Sequence, residues 1–501
     1  MSEGSRTGAI FTCLFVSLVG VVQAYFTGVT SYIYYTDSFI NDFCVGKYGS
    51  YEDCTSFTSR LPEKWKTFEL WMQATGTLGG VVGALLGAQI ADSFGRRAAI
   101  ITGALIAAIA TVVMSVTPAG VRELLYAMSV VQGLGIGTLW TAPFLYIVEV
   151  APKGSRGLFG AFNTLAVLGG SYAAFGVFAL LVNRSNEWRI EVGLGAVPPV
   201  LLVLGSFCIA ESPRWIFLTK GSNAAESELQ RIRRTQDVSA ELEAINDQVS
   251  ACGSIGGWNS MLEFAVLKRV LVVNVLLAYL IAGGYNLLYV TARIAMRDFI
   301  SNINIKVFLF LVVEILALLV ALRQVDHSGR TRLLKVGAIA LTLANLIVGI
   351  SQAAGCDGEI IGDGECQSAV NVVIFVTVVI ASFIYCMSWY PVTTIYPFEI
   401  FPVHVRAKAT GLSFAINALF VFLVSWIQNS VDTGYLSSNA YFFIHAGIGL
   451  LCAVFIHAMC PETKGVFLEQ TEHMFASTTA RAGHHEQSAP IQGGKPTMQM
   501  V

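Results

Sequence analysis

A chain of 501 residues in which 54% are hydrophobic, only 13% are charged and the mean hydropathy is +0.64 lies outside the range of soluble globular domains. The net charge of −2 excludes a nucleic-acid partner held by charge, because the charges sit in short loops and form no basic face. At about 20 apolar residues per crossing, the length has room for about twelve spanning helices and one modest polar insert.

Residues 1–8 are polar, and the apolar run after them exceeds the core of a cleavable signal peptide, so it reads as a retained first helix. Candidate spans then fall at 9–34, 68–91, 98–117, 121–148, 157–182, 189–210, 269–294, 305–322, 333–353, 370–397, 407–428 and 440–459. The polar stretch from Glu211 to about Glu263 holds two short amphipathic patterns, Ala224–Arg234 and Ser239–Ser250, which place it on the membrane surface. The expected fold is an all-α membrane protein with an N-terminal six-helix half (1–210), a cytoplasmic helical segment (211–266), a C-terminal six-helix half (267–459) and a tail (460–501). The tail, with His484 and His485, lacks periodicity and is expected to be disordered.

Lys and Arg accumulate on the cytoplasmic side of spanning helices, and their distribution puts both termini inside. Arg323, Arg330, Arg332 and Lys335 mark an inner loop, whereas the stretch with Asp357, Glu359, Asp363 and Glu365 carries no Lys or Arg and lies outside. Cys44 and Cys54 then fall in one outer loop and Cys356 and Cys366 in another. Four such cysteines admit three pairings, with at least one bridge expected. The Asn183-Arg184-Ser185 sequon also falls outside.

Charged motifs occur twice, the mark of a duplicated six-helix unit. Asp92-Ser93-Phe94-Gly95-Arg96-Arg97 joins the second and third spans, and Asp326-His327-Ser328-Gly329-Arg330 joins the eighth and ninth. Tyr146, Glu149, Pro152 and Arg156 recur with identical spacing as Tyr396, Glu399, Pro402 and Arg406. Glu211-Ser212-Pro213-Arg214-Trp215 closes the first half and Pro461-Glu462-Thr463-Lys464-Gly465 the second. Arg and Glu at helix ends pair across neighbouring helices and hold one side shut; as plain topology signals they would have no need to repeat in register.

Together these motifs resemble the sugar porter family of the major facilitator superfamily, over about residues 10–475. The resemblance implies transport of a hexose or similar small polar solute by alternating access, with no cofactor and no metal. It also implies an inner gate made of Arg96, Glu149, Arg156 and Glu211 with Arg330, Glu399, Arg406 and Glu462, and a solute cavity between helices 1, 5, 7, 8, 10 and 11.

The cavity positions depart from that family's pattern. The seventh helix reads Leu280-Ile281-Ala282-Gly283-Gly284-Tyr285-Asn286, so its two amides are gone and only the Gly and the Asn remain. Thr164 and Thr394 stand where the family has glutamine and tryptophan, and Asn417 keeps the expected Asn. Polar groups in a span face protein or cavity rather than lipid. Gln23, Thr27, Thr164, Asn286, Thr394 and Asn417 are therefore the candidate solute ligands, with helix–helix hydrogen bonding as the alternative. Phe26 and Ser129 replace the Asp and Arg of proton-driven members, which favours facilitated diffusion. Glu314, mid-span where facilitative members have an asparagine, is costly in lipid and joins the candidates.

The glycines 79, 83 and 87 recur every fourth residue and signal close helix packing. Gly133-Leu134-Gly135-Ile136-Gly137 lies inside an apolar helix and follows no strand, which excludes a dinucleotide fingerprint. No H-E-x-x-H, G-x-S-x-G or phosphate loop points to an enzyme. The leading reading is facilitated diffusion in the plasma membrane. The alternatives are proton-coupled symport of a sugar or non-sugar solute using Glu314, and a non-transporting solute sensor.

Overall fold

The computed structural model describes residues 6–55, 61–151, 156–182, 184–252, 255–296, 299–300, 302–357, 365–431 and 438–464. Among the described residues, twelve helices are long and apolar enough to cross a membrane: Gly8–Tyr35, Glu63–Ser93, Arg96–Ser115, Arg122–Val150, Gly157–Leu181, Glu187–Ser206, Phe264–Ala295, Asn304–Ser328, Arg330–Gly355, Ser368–Ile400, Arg406–Val424 and Ala440–Met459. They are called spans 1 to 12. An even number of crossings returns the end of span 12 to the face where span 1 begins. That face carries the repeated charged motifs and is called the motif face; the opposite one is the disulfide face.

Spans 2 and 4 show why small residues recur in them. A Cβ on Gly133 would run into the Gly76 carbonyl, and one on Gly79 into the Val130 carbonyl, so the two backbones touch directly. Gly133→Val is expected to drive these spans apart and to abolish a monodisperse peak in detergent gel filtration. A normal profile would show that the contact is dispensable.

Several spans are interrupted, and neighbouring spans supply donors to carbonyls freed in spans 4 and 7. Pro143 in span 4 has no N–H to offer the Leu139 carbonyl, and Gln23 Nε2 of span 1 donates to that oxygen at 3.3 Å. Span 7 breaks at Gly283 and Gly284, the latter at φ +80°. There Asn345 Nδ2 of span 9 donates to Gly283 O at 3.1 Å and His445 Nδ1 of span 12 to Ala282 O at 2.7 Å. Broken spans are tolerated where neighbours satisfy the backbone in this way.

The polar insert is helical over Pro213–Lys220, Ser222–Arg233 and Ser239–Cys252. The first of these helices lacked a sequence signal, being only eight residues long, and is started by Ser212, whose side chain accepts from Trp215 N. Leu229, Val238 and Ile245 pack into a small core of their own, and Arg233 grips Glu241 at 2.9 and 2.7 Å.

Outside the helices, the described residues hold one ladder, Cys356–Asp357 paired antiparallel with Glu365–Cys366. Of the pairings the sequence left open, the structure has Cys44–Cys54 and Cys356–Cys366, each closing its own loop. The first loop docks on the start of span 6, where Asp42 receives Trp188 Nε1 at 2.9 Å and Arg189 Nη1 at 2.5 Å. Asn183, the Arg156 side chain and the tail from 465 onward lie outside the described residues.

Candidate functional site

At the motif face the duplication becomes geometry. Gly95 and Gly329, at φ +101° and +86°, make the turns that start spans 3 and 9. In the first half Arg96 Nε and Nη2 fork onto both oxygens of Glu149 at 3.0 and 2.9 Å, and Nη1 donates to Ala91 O at 2.8 Å. Ser212 Oγ closes on the same carboxylate. In the second half Arg330 Nη2 reaches Glu399 at 3.2 Å and Asp326 at 3.1 Å, Nη1 donates to Val325 O, and Thr463 Oγ1 takes the place of Ser212 at 2.6 Å.

Glu211 and Glu462 cap spans 3 and 9. Glu211 accepts from the backbone N–H of Arg96 at 3.1 Å and of Arg97 at 3.1 Å; Glu462 accepts from those of Arg330 at 2.8 Å and Thr331 at 3.1 Å. Carboxylates there meet the orphan N–H groups and the positive end of the helix dipole. Burial pushes the Glu211 carboxyl above its ordinary range despite these bonds. Burial opposes ionisation of Glu462 too, but the Thr331 hydroxyl and the N–H groups of Arg330, Lys464 and Thr331 outweigh it and hold the group low.

All of these contacts lie within one half. The halves are joined elsewhere: Lys408 Nζ of span 11 meets Asp92 Oδ2 of span 2 at 2.6 Å, with both side chains under 10% exposed. Asp326 of span 8 accepts from the N–H groups of Gly157 and Leu158, which open span 5, at 3.1 and 3.0 Å. Above these links Gly160 of span 5 packs on Thr394 and Ile395 of span 10. Arg406 is fully buried and donates to Phe401 O at 3.1 Å.

On the disulfide side of that closure lies a cavity of about 310 Å³ between spans 1, 2, 4 and 11, within the range of small-molecule sites. The sequence had pointed instead to helices 1, 5, 7, 8, 10 and 11. Gln23, Thr27 and Asn417 line it as expected, and Thr30, Ser31, Gln73 and Trp140 add to them. Among the described residues lining it, none is charged. Thr27 and Gln73 present accessible surface to it. Asn417 Nδ2 is buried and has no partner among the described residues.

The other candidates stand apart from this cavity. Thr164 is fully buried and donates to its own helix at Gly160 O, 3.0 Å away. Thr394 donates to Pro391 O at 2.8 Å, and Asn286 is exposed just past the span 7 break. Glu314 is 6% exposed and accepts from two tyrosines, Tyr172 at 3.0 Å and Tyr285 at 2.6 Å. The lining residues Thr30, Gln73 and Trp140 went unremarked in the sequence because one polar or aromatic residue in a long apolar span carries no periodic signal; only the crossing of spans 1, 2, 4 and 11 selects them.

Two six-helix halves linked at one face around a mostly apolar cavity that carries a few amides and hydroxyls define a membrane transporter. The profile of the family described as "Sugar (and other) transporter" matches residues 12–475, and the chain belongs to that family. Relatives include the arabinose-proton symporter of Bacillus subtilis (strain 168), 29% identical over 79% of this chain and 84% of that one. Sugar transport protein 7 of Arabidopsis thaliana is 26% identical over 92% of this chain and 89% of the other. The structure of the proton:xylose symporter XylE, of the major facilitator superfamily, bound to 6-bromo-6-deoxy-D-glucose, superposes with a TM-score of 0.78 at 21% identity, covering 94% of this chain and 100% of that one. The fold is therefore the major facilitator fold. The function is transport of a sugar or other solute across a membrane.

Proposed function

We propose that the chain carries an uncharged, hydroxyl-rich solute of sugar or polyol size by facilitated diffusion, binding it between spans 1, 2, 4 and 11. The observation that carries this reading is the cavity itself: amides and hydroxyls of Gln23, Thr27, Thr30, Gln73 and Asn417 beside Trp140, with no charge among its described lining. Such a site returns hydrogen bonds to hydroxyl groups and offers no counter-ion to a charged solute. Relatives named as sugar carriers support the substrate class. Phe26 and Ser129, at the positions where proton-driven members carry Asp and Arg, leave the cavity without the paired charges such coupling uses.

The gate reading follows from the motif face. The clusters around Arg96 and Arg330 keep each half rigid, while Lys408–Asp92 and Asp326 with the start of span 5 hold the halves together; rocking apart breaks only the latter. We place the motif face in the cytoplasm, with both termini, because Lys and Arg concentrate there and the disulfides lie opposite; the plasma membrane suits both. Nothing in this arrangement calls for covalent chemistry. The bilayer is its solvent.

A second reading, proton-coupled symport, is favoured by one observation: Glu314 is a buried intramembrane carboxyl. Uptake of labelled hexoses, pentoses and polyols into vesicles, with and without a pH gradient, separates the readings. Saturable, gradient-independent uptake is expected; gradient-driven accumulation would establish symport, and binding without uptake would establish a sensor. Asn417→Ala is expected to raise KM about tenfold, the worth of one hydrogen bond to a buried donor, and an unchanged KM would remove Asn417 from the site.

A further inference from the structure

Glu314 was a candidate solute ligand, yet the structure puts it to a different use. Each of its oxygens is already engaged, one by Tyr172 of span 5 at 3.0 Å and the other by Tyr285 of span 7 at 2.6 Å. Span 5 belongs to the first half, and spans 7 and 8 to the second. The carboxyl therefore bridges the halves. Among the described residues it has no cationic partner, so it is not one arm of an ion pair.

The place of Tyr285 in the chain matters most. It is the first residue of the upper segment Tyr285–Ala295, directly after the Gly283–Gly284 break. Below the break, span 7 is fastened to the scaffold through Asn345 and His445. Above it, the first side chain is tied to Glu314 and lies flat against Tyr385 of span 10, with ring centroids 4.3 Å apart and planes 15° from parallel. A segment that starts at a two-glycine break is hinged at that point, so whatever holds Tyr285 governs where the upper segment points.

We propose that Glu314 is a positioning residue of the gate on the disulfide side: a latch joining span 5 to the upper segment of span 7, which limits how far the halves part above the cavity. Glu314, Tyr172 and Tyr285 are not among the residues lining the cavity between spans 1, 2, 4 and 11, so opening toward the disulfide face stretches the Glu314–Tyr172 contact without requiring a solute to touch Glu314. The inference rests on the chain being an alternating-access carrier, and not on which solute it carries.

The test reads gate opening directly. Thr77→Cys, in the cavity wall on span 2, is labelled with a membrane-impermeant maleimide applied from the side of the disulfide loops, with the protein lacking that cysteine as the blank. Tyr172→Phe removes one hydroxyl and keeps the ring, so it threatens folding least. It and Glu314→Ala are each expected to speed labelling about three- to tenfold, the scale of one hydrogen bond, and the double variant no further than the faster single one. Glu314→Gln, which keeps hydrogen-bonding capacity at both positions, is expected to label within about twofold of the parent. Labelling of Tyr172→Phe at the parental rate would overturn the latch, as would full additivity in the double variant. A changed order of preference among sugars in Tyr172→Phe would also overturn it and make this cluster part of the solute site. Because labelling needs no transported sugar, failure of the uptake assay and failure of the latch are read separately.

Discussion

Arg96→Ala is expected to abolish uptake and to lower thermal stability in detergent more than any other single change at the motif face. Arg96 is fully committed: two nitrogens fork onto Glu149 and the third caps the Ala91 carbonyl, with both charged side chains no more than 3% exposed. Removing it leaves Glu149 buried against Ser212 with no cation from its own half. Breaking a buried pair from one side costs about 3–5 kcal/mol, because the surviving charge stays desolvated. Arg330→Ala is expected to cost less. Arg330 makes only one bond to Glu399, and its other partner, Asp326, has a side chain 23% exposed that water reaches. Melting curves for the two variants by intrinsic fluorescence check this order, and an equal loss in both would count against it.

Lys408→Met is expected to leave each half folded and to shift the balance between them. The Lys408–Asp92 pair crosses from span 11 to span 2, so losing it destabilises only the form closed at the motif face. Asp92 keeps Arg96 Nη1 at 3.6 Å, so its charge is not stranded and the loss falls below the full figure for an orphaned buried charge; about 1.5 kcal/mol moves a two-state population roughly tenfold. Thr164 is fully buried beside the Gly160 seal, so a cysteine placed there reports the shift. In inside-out vesicles, with the exposed Cys208 replaced by serine throughout, Thr164→Cys is expected to resist an impermeant thiol reagent in the parent and to react in Lys408→Met. Lys408→Arg keeps the charge and should stay unreactive. Equal protection in all three would mean that the halves are held by packing alone. Asp326→Asn should loosen the same closure, since its one amide oxygen can keep only one of the two N–H groups that open span 5, which bond different carboxylate oxygens, and the ion pair with Arg330 is lost.

These two predictions separate roles that the sequence had merged. The repeated Arg and Glu residues were expected to act together as one inner gate. Their register was legible because equivalent helix ends need equivalent chemistry: a glycine turn, an arginine returning to the preceding helix, and a glutamate over the next N-terminus. Which contacts cross between the halves was not legible. Lys408 carried no signal, being one more basic residue after Arg406, and the backbone groups of Gly157 and Leu158 are invisible in any pattern of side chains.

The cavity was legible in part for a similar reason. Gln23, Thr27 and Asn417 are polar residues in apolar spans, and lipid's inability to solvate them forces them inward. That argument says they face protein or a cavity, and it cannot distinguish the two. It applied equally to Thr164, which turned out to spend its hydroxyl on its own helix, and to Glu314, which is held by two tyrosines. Gln23 does both jobs, serving the carbonyl freed by Pro143 while lining the cavity.

By itself, then, the sequence determined the twelve crossings, the division into two halves and the face on which the charged motifs gather. Each of these follows from the chain's local chemistry: apolar length against bilayer thickness, and charge excluded from hydrocarbon. Only the tertiary structure decided where the solute cavity lies, which contacts join the halves, how the four loop cysteines pair and what Glu314 holds. Those depend on which residues of different spans come within 3 Å of one another, and helix packing sets that distance while leaving no periodic trace along the chain.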